Sequence, residues 1–132
     1  MPIVVKARSF EAEVLKAKLP VLVDFWGARC GPCRLQRPIL LELARECAGQ
    51  LKICMFNTDP EEGESEEEYR EKYDALLEYG VRSLPTLLLF SEGKLVRGMV
   101  GLHSREELLE ILREEGLAVR PEEGGPGGEP EA

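Results

Sequence analysis

Six residues, Val21-Leu22-Val23-Asp24-Phe25-Trp26, run with a single polar break and end four positions before Cys30. A strand that is apolar at nearly every position, rather than at alternate ones, needs cover on both faces. The segment therefore predicts a central strand in an α/β layer structure. Cys30-Gly31-Pro32-Cys33 follows it directly. If the chain turns from strand into helix here, the first sulfur sits at a helix N-terminus. Unpaired backbone N–H groups and the positive dipole end favour thiolate over thiol there. The second sulfur, one turn on, is placed to close a disulfide onto the first. The pair reads as a reversible two-electron redox centre.

The rest of the chain alternates in the same way. Ile3-Val4-Val5 predicts a short strand, and Ser9 an N-cap for a helix to Lys18 that buries Phe10, Val14 and Ala17. Between Pro32 and Ala48, Leu35, Ile39, Leu43 and Cys47 recur every four positions, widened by Leu40 and Ala44, which predicts a helix kinked at Pro38. Residues 51–56 predict a second core strand. Ser65 and Glu68 have capping-box spacing ahead of a helix over 66–79 with a stripe of Tyr69, Tyr73, Leu76 and Leu77. Leu87–Phe90 and Leu95–Val100 flank Ser91-Glu92-Gly93-Lys94 as a hairpin, and Gly98 signals a bulge or a close backbone approach. Ser104 and Glu107 repeat the capping box before a last helix that closes at Gly116. The order β-α-β-α-β-α-β-β-α implies an α/β fold with a central mixed five-stranded sheet flanked by four helices. One domain is expected over residues 1–118. Residues 119–132, which from Pro121 on are Pro, Gly and Glu with a terminal Ala, predict a disordered acidic tail.

A net charge of −8 argues against nucleic acid or an anionic membrane as partner. No apolar run reaches membrane-spanning length, and the N-terminus lacks the basic start and long apolar core of a secretion signal, so a cytoplasmic location is expected. In a reducing compartment four cysteines do not make a disulfide scaffold, and a C-x-x-C points to redox or metal chemistry. Cys47 lies on an apolar helix stripe and Cys54 in a core strand, so both read as buried thiols rather than a regulatory pair.

Val21–Trp26, Cys30-Gly31-Pro32-Cys33, Pro38, Leu84-Pro85-Thr86 and Gly101, in that order, resemble the thioredoxin family from about Ser9 to about Leu112. The resemblance implies the thioredoxin fold, with an acidic insertion around residues 60–73 before the third helix. It also implies reduction of protein disulfides. Cys30, the exposed sulfur, has the helix dipole behind it and Arg29 and Arg34 beside it, and would attack; Cys33 would resolve the mixed disulfide. Gly31 and Pro32 would set the stiffness of the loop. Asp24, desolvated beneath the pair, would shuttle the proton of Cys33. Trp26 would pack beside the site. Pro85 would follow a cis bond and pack against the sulfurs, Leu84 would offer its backbone to an extended substrate, and Gly101 would let a loop approach the partner. No cofactor or metal is expected beyond the cysteine pair. Electrons would come from NADPH through a flavin-dependent thioredoxin reductase. The partners implied are that enzyme and disulfide-containing proteins, met by a monomer.

Two positions depart from the family pattern. Arg29 stands where the family has Trp, implying a lower Cys30 pKa or an altered contact surface. Met55 stands where a Lys commonly neighbours the Asp, which implies an Asp24 that is harder to ionise. His103, the only histidine, receives no role, and the acidic run 61–68 reads as a solvated face. A disulfide isomerase or oxidase is the nearest alternative, disfavoured by Gly31-Pro32. A partner-binding or metal-binding module is the other; one C-x-x-C supplies too few ligands for a zinc site within one chain.

Overall fold

The structure, a computed structural model, describes residues 1–122. Its five-stranded sheet has the order β1-β3-β2-β4-β5, formed by β1 (Ile3–Val4), β2 (Val21–Trp26), β3 (Lys52–Asn57), β4 (Thr86–Ser91) and β5 (Lys94–Val100). β1, β3 and β2 run parallel, while β4 lies antiparallel to both β2 and β5. Three α-helices, α1 (Gly31–Glu46), α2 (Glu66–Glu78) and α3 (Arg105–Glu114), and a short helical segment before β2 cover the faces. Among the described residues no helix is long and apolar enough to cross a membrane.

The period-2 alternation of a strand divides the core in two. On one face Leu22, Ile53, Met55, Leu87 and Leu89 pack with Leu40 and Leu43 of α1, Cys47 at its C-cap, and Leu108, Ile111 and Leu112 of α3. On the other, Val21, Val23, Phe25, Cys54, Phe56, Leu88 and Phe90 pack with Phe10, Val14 and Ala75. That second face is aromatic: Phe25 and Phe56 lie 4.8 Å apart, and Phe10 stands 5.6 Å from Phe90 in a T-shaped pair. Cys47 and Cys54 thus occupy opposite sides of the sheet.

Local signals place the later helices where their caps predict. Ser65 Oγ accepts from Glu68 N–H and Glu68 Oε1 from Ser65 N–H, and Ser104 and Glu107 repeat the exchange. The hairpin turn puts Glu92 at φ 52° and Gly93 at φ 78°. A Cβ on Gly93 would come within 2.9 Å of the Leu15 carbonyl oxygen, so only glycine fits. The irregularity in β4–β5 pairing falls between Leu89 and Phe90, with Leu95 and Arg97 opposite them; Gly98 instead allows close approach, its absent Cβ lying 3.3 Å from Leu88 Cδ2.

Four expectations are corrected. Ser9 does not cap a helix over 9–18: its hydroxyl accepts from Lys6 N–H at 3.0 Å, closing a 3₁₀ turn over Ala7–Ser9, and a π-helical segment over Glu11–Leu15 follows. α1 continues past Pro38 as expected, but its buried side is Cys33, Gln36, Leu40, Leu43 and Ala44, with Cys47 at the C-cap, and Leu35 is exposed. On α2, Tyr69, Tyr73 and Leu77 face outward while Lys72 and Ala75 are buried. The tail expected from residue 119 begins as docked chain: Gln50 exchanges two 2.7 Å hydrogen bonds with the Arg120 backbone, and Glu122 N–H donates to the Glu46 carbonyl. The rest of that expected tail, 123–132, lies outside the described residues.

Candidate active site

The site forms at the end of the sheet where β2 and β3 finish and β4 begins. Phe25 pairs with Thr86, and Thr86 with Val100, so Pro85 and Gly101 sit level with Trp26 at one edge of the layer. From Trp26 the chain makes a short loop and enters α1 at Cys30. Cys30 is the N-cap: its Sγ accepts from Cys33 N–H at 3.1 Å. Pro32 lies in the first turn, where its missing N–H costs no helical bond. Cys30 and Cys33 are joined as a disulfide with Cα atoms 5.2 Å apart. Cys30 is half-buried with Gly31 and Pro32 exposed beside it, whereas Cys33 is only 5 % exposed.

Asp24 follows from the strand period. Its neighbours Val23 and Phe25 face the aromatic side, so Asp24 points with Leu22 and Trp26 toward α1. It is fully buried, and neither carboxyl oxygen has a hydrogen-bond partner. Burial pushes its pKa from 3.8 up to about 7, opposed by the attraction of the Arg37 guanidinium. Met55 is its register partner on β3 and supplies no charge. Asp24, Trp26, Gly27, Ala28, Cys33, Arg34 and Arg37 line one cavity of about 350 Å³. The cavity thus joins the buried carboxyl to the buried sulfur.

Trp26 shapes this cavity while Arg37 lies 4.8 Å from its ring centroid. Arg29 is exposed, and Arg34 donates to the Ala28 carbonyl at 3.2 Å. The Leu84–Pro85 bond is cis and Pro85 is buried. The Pro85 carbonyl accepts from Gly101 N–H at 2.8 Å, and Gly101 holds φ 92°, a left-handed conformation suited to glycine. Leu84 packs on the active-site loop: a Cβ on Gly27 would lie 2.9 Å from its Cδ1.

Three contributors were missing from the sequence reading. Arg37 is one helical turn beyond Cys33, a spacing that places both on one face, so the i, i+4 rule had the means to find it. Gln36, fully buried, donates to the His103 carbonyl at 3.0 Å and accepts from His103 N–H at 2.9 Å, tying α1 to the Gly101 loop. His103 in turn lies 2.9 Å from the Gly101 carbonyl through Nδ1, a structural place for a residue expected to have none. Asp59 Oδ2 accepts from Ala28 N–H at 2.6 Å, a contact between separate loops that carries no local signal. The remaining thiols stand apart. Burial raises the pKa of Cys47 and pushes that of Cys54 up to about 11.

Comparison with known proteins points one way. The thioredoxin family model matches residues 1–114. A thioredoxin of Pseudomonas aeruginosa is 43 % identical over 104 residues, covering 79 % of this chain and 86 % of that one. A thioredoxin of Rickettsia bellii is 40 % identical over 105 residues, covering 80 % and 90 %. One from Acidithiobacillus ferridurans is 43 % identical over 104 residues, covering 79 % and 86 %.

Proposed function

Since this chain belongs to the thioredoxin family and is a protein-disulfide reductase working by dithiol–disulfide exchange, we propose that Cys30 attacks, Cys33 resolves and Asp24 takes up the proton. In the reduced protein the Cys30 thiolate attacks one sulfur of a substrate disulfide. A Cys30–substrate bond forms, the substrate S–S bond breaks, and the second substrate sulfur leaves with the electron pair and is protonated. Cys33 then loses its proton to the Asp24 carboxylate and attacks Cys30 Sγ. The intramolecular disulfide forms and the first substrate sulfur leaves. Two electrons have passed to the substrate, which ends as a dithiol.

The observation that carries the assignment is the inequality of the two sulfurs. Cys30 Sγ, half-exposed, accepts the α1 N-terminal hydrogen bond of Cys33 N–H, while Cys33 is buried in the Asp24 cavity. The thiolate is favoured at the reachable sulfur, and the proton acceptor serves the unreachable one. An Asp24 pKa near 7 suits both directions of transfer at neutral pH.

The substrate reading extends to the neighbouring loops. An extended segment flanking the substrate disulfide pairs with the Leu84 backbone beside Gly101. Gly31 and Pro32 hold the two sulfurs in reach of each other. NADPH supplies the electrons through a flavin-dependent thioredoxin reductase, and the chain works in the cytoplasm as a monomer. In a Cys33→Ser variant the first intermediate accumulates, so mixed disulfides on Cys30 are recoverable from cells under non-reducing conditions. Recovery of none overturns the assignment.

A further inference from the structure

The acidic insertion turns inward. Lys72 of α2 is only 4 % exposed, and an ammonium taken out of water needs charged and hydrogen-bonding partners. It has them. Lys72 Nζ donates to the Asp59 carbonyl at 2.5 Å and pairs with Glu64 at 2.8 Å and Glu61 at 3.7 Å. Glu61 also accepts from Lys6 Nζ at 2.7 Å and from Asn57 Nδ2 at 2.9 Å, and Asn57 Oδ1 accepts from Asp59 N–H at 3.0 Å. Within the acidic run Glu61 and Glu64 therefore turn in on Lys72, while Glu62, Glu66 and Glu67 stay exposed as the solvated reading expects.

The far side of this network grips the active-site loop. Thr58 donates to the Trp26 carbonyl through both N–H and Oγ1, each at 2.9 Å. One residue on, the Asp59 carboxylate accepts from Ala28 N–H at 2.6 Å, a charge-assisted bond two residues before Cys30. The same Asp59 thus binds Lys72 through its carbonyl and Ala28 through its carboxylate. We propose that Lys72 is a positioning residue for disulfide exchange, holding Asp59 so that Asp59 holds the loop presenting Cys30. The insertion supplies the carboxylates that let this ammonium be buried. The inference rests on Cys30 being the attacking thiol.

The test is a double-mutant cycle in the full chain carrying Cys33→Ser, so that only the first attack is read. The rate constant for reaction of reduced protein with DTNB is measured across pH for Lys72→Met, Asp59→Ala and the pair. Each single substitution is expected to slow attack about fivefold through loop misplacement, and the pair to be no slower than the slower single. Hydrogen exchange at the Ala28 amide is expected to lose protection in Lys72→Met while α3 amides keep theirs. Unchanged rates, or losses that multiply in the pair, overturn the proposal. If Lys72→Met does not fold, Glu64→Gln replaces it, with about a twofold slowing in the same non-multiplying pattern; an unchanged rate again overturns it. Slow reaction of the Cys33→Ser parent itself would instead overturn Cys30 as the attacking thiol.

Discussion

Asp24 ionises in the unfolded chain near its ordinary pKa of 3.8 but in the folded protein only near 7. Between about pH 4 and about pH 7 the folded state therefore holds a proton that the unfolded state has released, and stability falls as pH rises through that window. The loss is on the order of 4 kcal/mol and is complete above about pH 7. Asp24→Asn removes it. Denaturant unfolding is expected to show the variant more stable than wild type at about pH 8 and nearly equal at about pH 4, with turnover reduced if Asp24 is the proton acceptor proposed above. A wild-type stability that is level across this range would contradict the account. Arg37 opposes the burial effect, so Arg37→Met is expected to raise the Asp24 pKa further, read by a carboxyl-carbon NMR titration. Asp24 was legible as the one polar residue in an apolar strand. Arg37 was legible only through its i, i+4 spacing from Cys33, a weak signal because an exposed helical arginine ordinarily faces only solvent.

At the scale of elements, α1 does more than carry the cysteines. Gln36 joins it to the Gly101 loop through both backbone groups of His103. Gln36→Leu leaves those half-buried groups unpaired at a cost of about 1–2 kcal/mol. If the Gly101 loop meets the substrate as proposed above, the variant is also expected to raise KM for protein disulfides more than it lowers kcat; steady-state kinetics separate the two. Strands and caps were readable because their signals are local: an apolar run for β2, a Ser–Glu pair three apart for α2 and α3. Helix faces were less so. Of the periodic stripe Tyr69, Tyr73, Leu76 and Leu77 only Leu76 packs on the core; Lys72 is buried instead of the tyrosines because Glu61, Glu64 and the Asp59 carbonyl pair with it. Likewise Leu35 lost its place to Gln36, whose partner is 67 positions away. Helical periodicity compares residues three and four apart, so it sees neither the Lys72 partners 8 to 13 positions back nor the Gln36 partner 67 positions on.

For the whole molecule, the C-terminal edge of the fold lies past α3. Leu117 and Val119 pack against the α1–α3 core, and the 120–122 backbone bonds to Gln50 and Glu46. A chain ending at residue 116 is expected to be about 1–2 kcal/mol less stable than one ending at 122, measured by thermal or denaturant unfolding. Composition concealed this edge because its polar residues bond through backbone, which every sequence has.

The sheet itself separates the two remaining thiols, Cys47 on the α1–α3 side and Cys54 on the aromatic side, both fully buried and both hard to ionise. Neither meets the other or the exchanging pair without unfolding. Of four cysteines, only two count. The native protein has therefore no internal partner with which to scramble a mixed disulfide, and an intermediate on Cys30 has two exits, Cys33 or an outside thiol. A completed exchange therefore leaves a native molecule with either two reactive thiols or none, so the fraction of molecules with reactive thiols follows the surrounding redox balance.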